Sequence, residues 1–153
     1  MSFHNNTNQG LLKWKGNIPV FNMYTAGIAC ENFFRKIKDE GKFTGIKCKK
    51  CSIVYIPPRI FCERCFSELN EYVNLPLTGK LTSFTVAHRD LDDKPAVEPV
   101  VIGAVQIDGA STNMIHYING NPSKLKIGMK VKAVLKPKSN RTGSILDILG
   151  FTA

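Results

Sequence analysis

Four of the five cysteines stand in two C-x-x-C pairs, Cys48/Cys51 and Cys62/Cys65, with ten residues between the pairs. A C-x-x-C turn presents two thiolates to one ion while its backbone amides hydrogen-bond the sulfurs. Two such turns complete the tetrahedral ligand set that zinc prefers. The short spacer puts the pattern in the ribbon class of four-cysteine sites. Mononuclear iron takes the same four-thiolate geometry, so the ligand set by itself leaves the choice of ion open. A four-thiolate site has no open position for a substrate, and its expected role is structural. A redox dithiol needs one pair at the start of a helix in a βαβ unit, a context neither pair has. Disulfides are disfavoured in a reducing compartment. Cys30 stands apart, beside Phe33 and Phe34, and reads as a small core residue rather than a nucleophile.

The other reactive side chains form no recognisable constellation. The histidines are His4 in a polar N-terminal stretch and His88 and His116 on strand-like segments, with no nucleophile motif beside them. G-x-S-x-G, Walker and G-x-G-x-x-G patterns are absent. Catalysis by this chain alone is therefore not expected. Phe84, His88, His116 and Tyr117 could act as base-stacking groups beside lysines if strands brought them to one face, which keeps single-stranded nucleic acid as an alternative partner.

The elements that must position the cysteines follow from periodicity. Ala29, Phe33, Phe34 and Ile37 share one face of a helix over about 27–40, and Gly41 supplies its stop. Residues 1–24, with Trp14 and Phe21 as anchors, read as an arm that packs onto something. Short strands at 43–47, 53–56 and 72–74 carry the cysteine pairs, interrupted by Pro57-Pro58. So small a unit cannot build a sufficient apolar core, which makes a metal its organiser. Five strands are then expected at 81–88, 100–107, 113–118, 129–136 and 144–151, as a small barrel or sandwich. In the fourth, Met129, Val131, Ala133 and Leu135 alternate with Lys130, Lys132 and Lys136, as in a half-buried strand.

At 153 residues the chain has the size of one domain, and 43% hydrophobic with 22% charged residues indicates a folded, soluble protein. The net charge of +9 is uneven. Residues 1–50 hold nine basic and three acidic residues, 51–108 five and eight, and 109–153 seven and one. Basic ends suit an anionic partner without selecting nucleic acid, a phosphate-bearing cofactor or an acidic protein. There is no basic-then-apolar leader and no apolar run near about 18 residues, so the expected compartment is the cytoplasm, with no membrane partner.

The order of parts resembles the archaeal-type members of a family of small proteins that join a rubredoxin-like zinc ribbon to an OB-fold, long catalogued as a domain of unknown function. The resemblance rests on Tyr24-Thr25-Ala26-Gly27, Phe33-Phe34, Gly45 to Cys51, Tyr55 to Arg59, Phe61 to Cys65, Thr78 to Val86 and Ile127 to Val131. It implies a mainly β protein with an N-terminal arm and helix at 1–42, the ribbon at 43–77 and a five-stranded OB-fold barrel at 78–153. All four ligands are present, so the ribbon should hold zinc. The family also implies a function: a non-catalytic scaffold that partners thiolase-fold enzymes, bridging acetoacetyl-CoA thiolase and hydroxymethylglutaryl-CoA synthase and helping to hold the pantetheine arm of coenzyme A. Coenzyme A or an acyl-CoA carries phosphates that favour cations and an arm that needs an apolar slot. Lys47, Lys49, Lys50, Tyr55 and Arg59, with the Pro57-Pro58 turn, are the candidate edge for it. The acidic loop Leu91 to Pro99 and the segment Gly109 to Asn121 depart from the family pattern.

Overall fold

The computed structural model describes residues 24–89 and 94–153. The N-terminal stretch read as an arm, with His4, Trp14 and Phe21, and the acidic residues Asp92 and Asp93 lie outside the described residues. The helix α1 spans Gly27–Glu40 and buries Ala29, Phe33 and Ile37. Glu31 pairs with Arg35, and Lys36 with Glu40, one turn apart on the exposed side. Gly41 ends α1 at φ 66°, its amide donating to the Ile37 carbonyl. That carbonyl also accepts from Arg141 Nη1 at 3.2 Å, so a residue from the far end of the chain helps to cap the helix.

The next three strands are β1 (Phe43–Lys47), β2 (Val54–Tyr55) and β3 (Glu71–Leu75), an antiparallel sheet in the order β2-β1-β3. Five more follow: β4 (Thr78–Arg89), β5 (Pro95–Ile107), β6 (Asn113–Asn119), β7 (Lys130–Leu135) and β8 (Ile148–Thr152). They close into a barrel in the order β4-β5-β6-β8-β7, antiparallel except for the β6–β8 pair. The protein is thus mainly β with one helix and a closed five-stranded OB-type barrel. On β7, Val131 and Ala133 are buried while Lys130 and Lys132 are exposed, as the alternation requires. Among the described residues no helix is long and apolar enough to cross a membrane.

Several details depart from the sequence reading; β5 begins at Pro95 rather than at residue 100, so Glu98 stands on a strand and not in a loop. The last expected strand, 144–151, begins instead as a 3-10 turn over Ile145–Asp147. Ser144 and Asp147 form a capping box there, satisfying backbone donors locally and delaying the strand to Ile148. The ribbon is also less self-contained than expected, because its sheet shares the main core. Phe33 of α1 stacks on Phe43 of β1 at 5.7 Å between centroids, and Phe43 meets Phe151 of β8 at 6.4 Å. Ile56 and Leu75 join the same cluster. The open edge of β2 is covered by the turn between β5 and β6. Val54 N–H donates to Ser111 Oγ at 3.0 Å, and Thr112 Oγ1 both accepts from Ile56 N–H at 2.8 Å and donates to its carbonyl at 3.0 Å.

Asp147 is fully buried and accepts from the amides of Thr142, Gly143 and Ser144. Burial pushes its pKa up, but these three donors and nearby Lys136 outweigh that and hold the carboxyl below its usual value. Its contribution to stability is complete above the unfolded carboxylate pKa, about 3.9, and is lost as pH falls through the lower folded value. Asp147→Ala is expected to cost about 2–4 kcal/mol by stranding buried donors. In thermal melts the gap between wild type and variant should close below about pH 4 and stay constant above pH 5.

Candidate metal centre

Both cysteine turns are built alike. Cys48 N–H donates to the Ile53 carbonyl at 2.8 Å, and Ser52 N–H donates back to the Cys48 carbonyl at 2.8 Å. Cys62 N–H donates to the Ser67 carbonyl and Phe66 N–H to the Cys62 carbonyl, each at 2.9 Å. In each turn the residue after the second cysteine is left-handed, Ser52 at φ 57° and Phe66 at φ 56°. The two knuckles therefore repeat one backbone path and present their thiols in the same way.

The four Sγ atoms lie within 4.8 Å of one another, with Cys48 and Cys65 at 3.6 Å. A tetrahedron with zinc–sulfur bonds of 2.3 Å has edges of about 3.8 Å, so the donor set fits such an ion. Cys51 N–H points at Cys48 Sγ at 3.4 Å, the amide-to-sulfur contact expected of a knuckle. Ile46, Tyr55 and Leu69 pack around the buried Cys48 and Cys62.

Crowding splits the thiols. The Tyr55 hydroxyl, 3.1 Å from Cys62 Sγ, stabilises that thiolate and brings its pKa down to about 6 against the opposing effect of burial. The Ser67 hydroxyl and amide lower Cys65 as well. Contact with Cys65, added to burial, pushes Cys51 up to about 12. Four thiolates this close ionise together only when a cation offsets their repulsion, which is the electrostatic demand a dication meets.

Of the five candidate coenzyme A residues, Lys49 and Lys50 are exposed within the first knuckle, and Lys47 is half-buried at the end of β1. Arg59 is engaged with Glu63 at 2.6 Å and lies 4.5 Å above the Tyr55 ring. Tyr55 is not part of an open edge. It is fully buried, because on β2 its side faces the cysteines and its hydroxyl is used by Cys62. Nothing in the alternation of a two-residue strand announces that orientation. Cys30 is half-buried on the flank of α1, its Sγ 3.7 Å from the Pro58 carbonyl, outside the aromatic core.

The four suggested stacking groups do not share a face. Phe84 packs against the barrel core and His88 is exposed. His116 is half-buried edge-on to Tyr117 and Phe151, while Tyr117 points outward. Burial holds His116 below the usual histidine pKa, and its Nδ1 is buried without a hydrogen-bond partner.

Chelation of the metal is expected to speed amide exchange across 48–69 while the barrel strands keep their protection. Cys62→Ser should abolish stoichiometric metal and cost several kcal/mol, since metal binding here is folding energy. Tyr55→Phe keeps all four ligands, and competition with a zinc chelator should register a 10–100-fold weaker site.

Residues 35–71 match the family model described as ChsH2, rubredoxin-like zinc ribbon domain, and residues 72–136 the one described as ChsH2, C-terminal OB-fold domain. A DUF35 domain-containing scaffold protein of Methanocaldococcus jannaschii is 29% identical over 104 residues, 67% of this chain and 74% of that protein. One from Methanothermobacter thermautotrophicus, with the same description, is 25% identical over 104 residues, 67% and 78%. The crystal structure of a DUF35-family protein of unknown function from Sulfolobus solfataricus superposes with a TM-score of 0.60 at 29% identity, covering 71% of this chain and 78% of that one. The Ltp2-ChsH2(DUF35) aldolase shares the fold at 24% identity, with a TM-score of 0.61 over 85% of this chain and 98% of that chain. With the two models lying end to end across the cysteine site and the barrel, the chain belongs to the family of proteins that join a rubredoxin-like zinc ribbon to an OB-fold.

Proposed function

We propose that this protein is a non-catalytic, cytoplasmic scaffold subunit that joins a thiolase-fold enzyme of acyl-CoA metabolism, of the acetoacetyl-CoA thiolase and hydroxymethylglutaryl-CoA synthase kind, and helps to hold coenzyme A or an acyl-CoA there. The observation that carries the reading is a slot between the first turn of α1 and the segment after Pro57. It is a cavity of 270 Å³ lined mainly by apolar groups, including Ile28, Ala29, Pro58 and Ile60, with Arg59 beside them. A pantetheine arm needs such a passage, and a guanidinium suits the phosphates at its end.

The chemistry of the site agrees with a supporting role. Four thiols in one closed cluster leave a bound ion no position for substrate. The relatives from Methanocaldococcus and Methanothermobacter are described as scaffold proteins, and the aldolase that shares the fold pairs a ChsH2 chain with Ltp2. Tyr55 enters this reading through Arg59, whose guanidinium its ring supports from below. Lys49 and Lys50 lie between the first two ligands, where they also offset the negative charge four thiolates leave on a dication.

Reconstitution with the partner enzyme tests the proposal. The complex is expected to bind coenzyme A more tightly than the enzyme alone. Lys49→Ala/Lys50→Ala and Arg59→Ala should each weaken that binding by about tenfold, the range of one charge-assisted contact to phosphate. Failure to recover any thiolase-fold enzyme with the protein, together with unchanged coenzyme A affinity in all variants, overturns it.

A further inference from the structure

The outward face of β5 and β6 breaks the rule that an exposed antiparallel sheet is polar on its solvent side. Cross-strand pairs place Ala104 beside Ile115 and Ile102 beside Tyr117, and Ser83, Thr85 and Ala87 of β4 extend the same rows. Ile115 is 72% exposed and Tyr117 51%. The opposite side of the same strands, with Val101, Val105, Met114 and Ile118, fills the barrel. Over Val100 to Ala104 of β5 and around Ile115 and Tyr117 of β6 the sheet is therefore apolar on its outer side as well as its inner one, the pattern of a sheet covered twice, with polar Gln106, Asn113 and Asn119 at the ends of the patch. Exposed Leu146 from the 3-10 turn borders a cavity of 300 Å³ on this face, and His116, with its unpartnered Nδ1, forms part of the floor.

Charge selects the occupant. No charged residue stands in these rows, on a chain that is 22% charged with a net charge of +9. In oligonucleotide-binding OB-folds the second and third strands carry the binding face, with cations along the backbone track. Here β5 and β6 occupy those places, and exposed lysines border the apolar rows without entering them, Lys80 standing opposite Gln106 of β5 on one side and Lys130 of β7 on the other, with Lys132 following on β7. The face thus lacks what a phosphate backbone needs. A second copy would bring another +9 charge against the first, whereas a neutral or acidic protein would not.

We infer that the β5–β6 face is a docking surface for a different protein, one of neutral or acidic net charge that presents an uncharged apolar patch. The inference rests on the scaffold reading, with the docked protein as its catalytic partner. Its location is separate from the coenzyme A slot at the start of α1, so the two can fail independently.

The test uses the full chain, tagged and purified in its native complex, and hydroxyl-radical footprinting of its side chains in that complex and alone. Oxidation of Tyr117, Ile115 and Leu146 is expected to slow at least tenfold in the complex. Ile115→Lys/Tyr117→Asp, both at solvent-facing positions and checked by thermal melting, should weaken the association at least tenfold. Equal oxidation in the free and bound states, or undiminished association of the folded variant, overturns the inference while leaving the coenzyme A reading intact. Recovery of the chain alone or as a homodimer also overturns it, as does binding of an oligo-dT probe that the variant loses. If the face is protected by an enzyme without a thiolase fold, the docking inference stands and the functional proposal falls.

Discussion

The packing of Phe43 between Phe33, on which it stacks, and Phe151, which it meets at a tilt, is the contact on which the arrangement of the whole molecule depends. Phe43 begins β1, the central strand of the ribbon sheet, and turns one apolar side toward the helix and barrel. Three positions later Ile46 packs around the cysteines instead. One five-residue strand thus serves two cores. The large core orients the ribbon, and the small one is completed by metal.

Hydrogen bonding reinforces the same joint. A two-residue strand at a sheet edge is an exposed row of donors and acceptors. Ser111 and Thr112 satisfy that row from the barrel side, so the edge of the ribbon is covered by the protein's own turn. Arg141 links the end of α1 to the last barrel connection through the carbonyls of Ile37 and Lys136. The cysteine knuckles are consequently held against a rigid support rather than swinging on a linker.

Much of this was legible in the sequence where one local rule governs. Spacing alone located the four ligands, and helix α1 follows its apolar period and its terminal glycine. The lysine alternation of β7 was equally plain. What sequence could not convey is facing. Val100, Val101 and Ile102 form a continuous apolar run, which hides that Val101 alone of the three points into the barrel and that its neighbours look outward. Tyr55 has the composition of a surface contact residue, yet the register Ile46 to Tyr55 turns it beneath the cysteines. The left-handed turns at Ser52 and Phe66 escape notice because glycine, the usual marker of that conformation, is absent from both.

The long reach of the aromatic stack also orders events in time. Phe33 and Phe43 are made early, but Phe151 belongs to β8, the last strand of the chain. During synthesis the knuckles can close on an ion as soon as Cys65 has left the ribosome, because their hydrogen bonds span only a few residues. The seat on which they rest forms only when β8 inserts between β6 and β7. A nascent chain therefore carries an unanchored ribbon from the emergence of Cys65 until β8 is in place, with its apolar underside awaiting the barrel. Chaperone contact on this protein should accordingly concentrate on the side of β1 that bears Phe43, and end when β8 is in place.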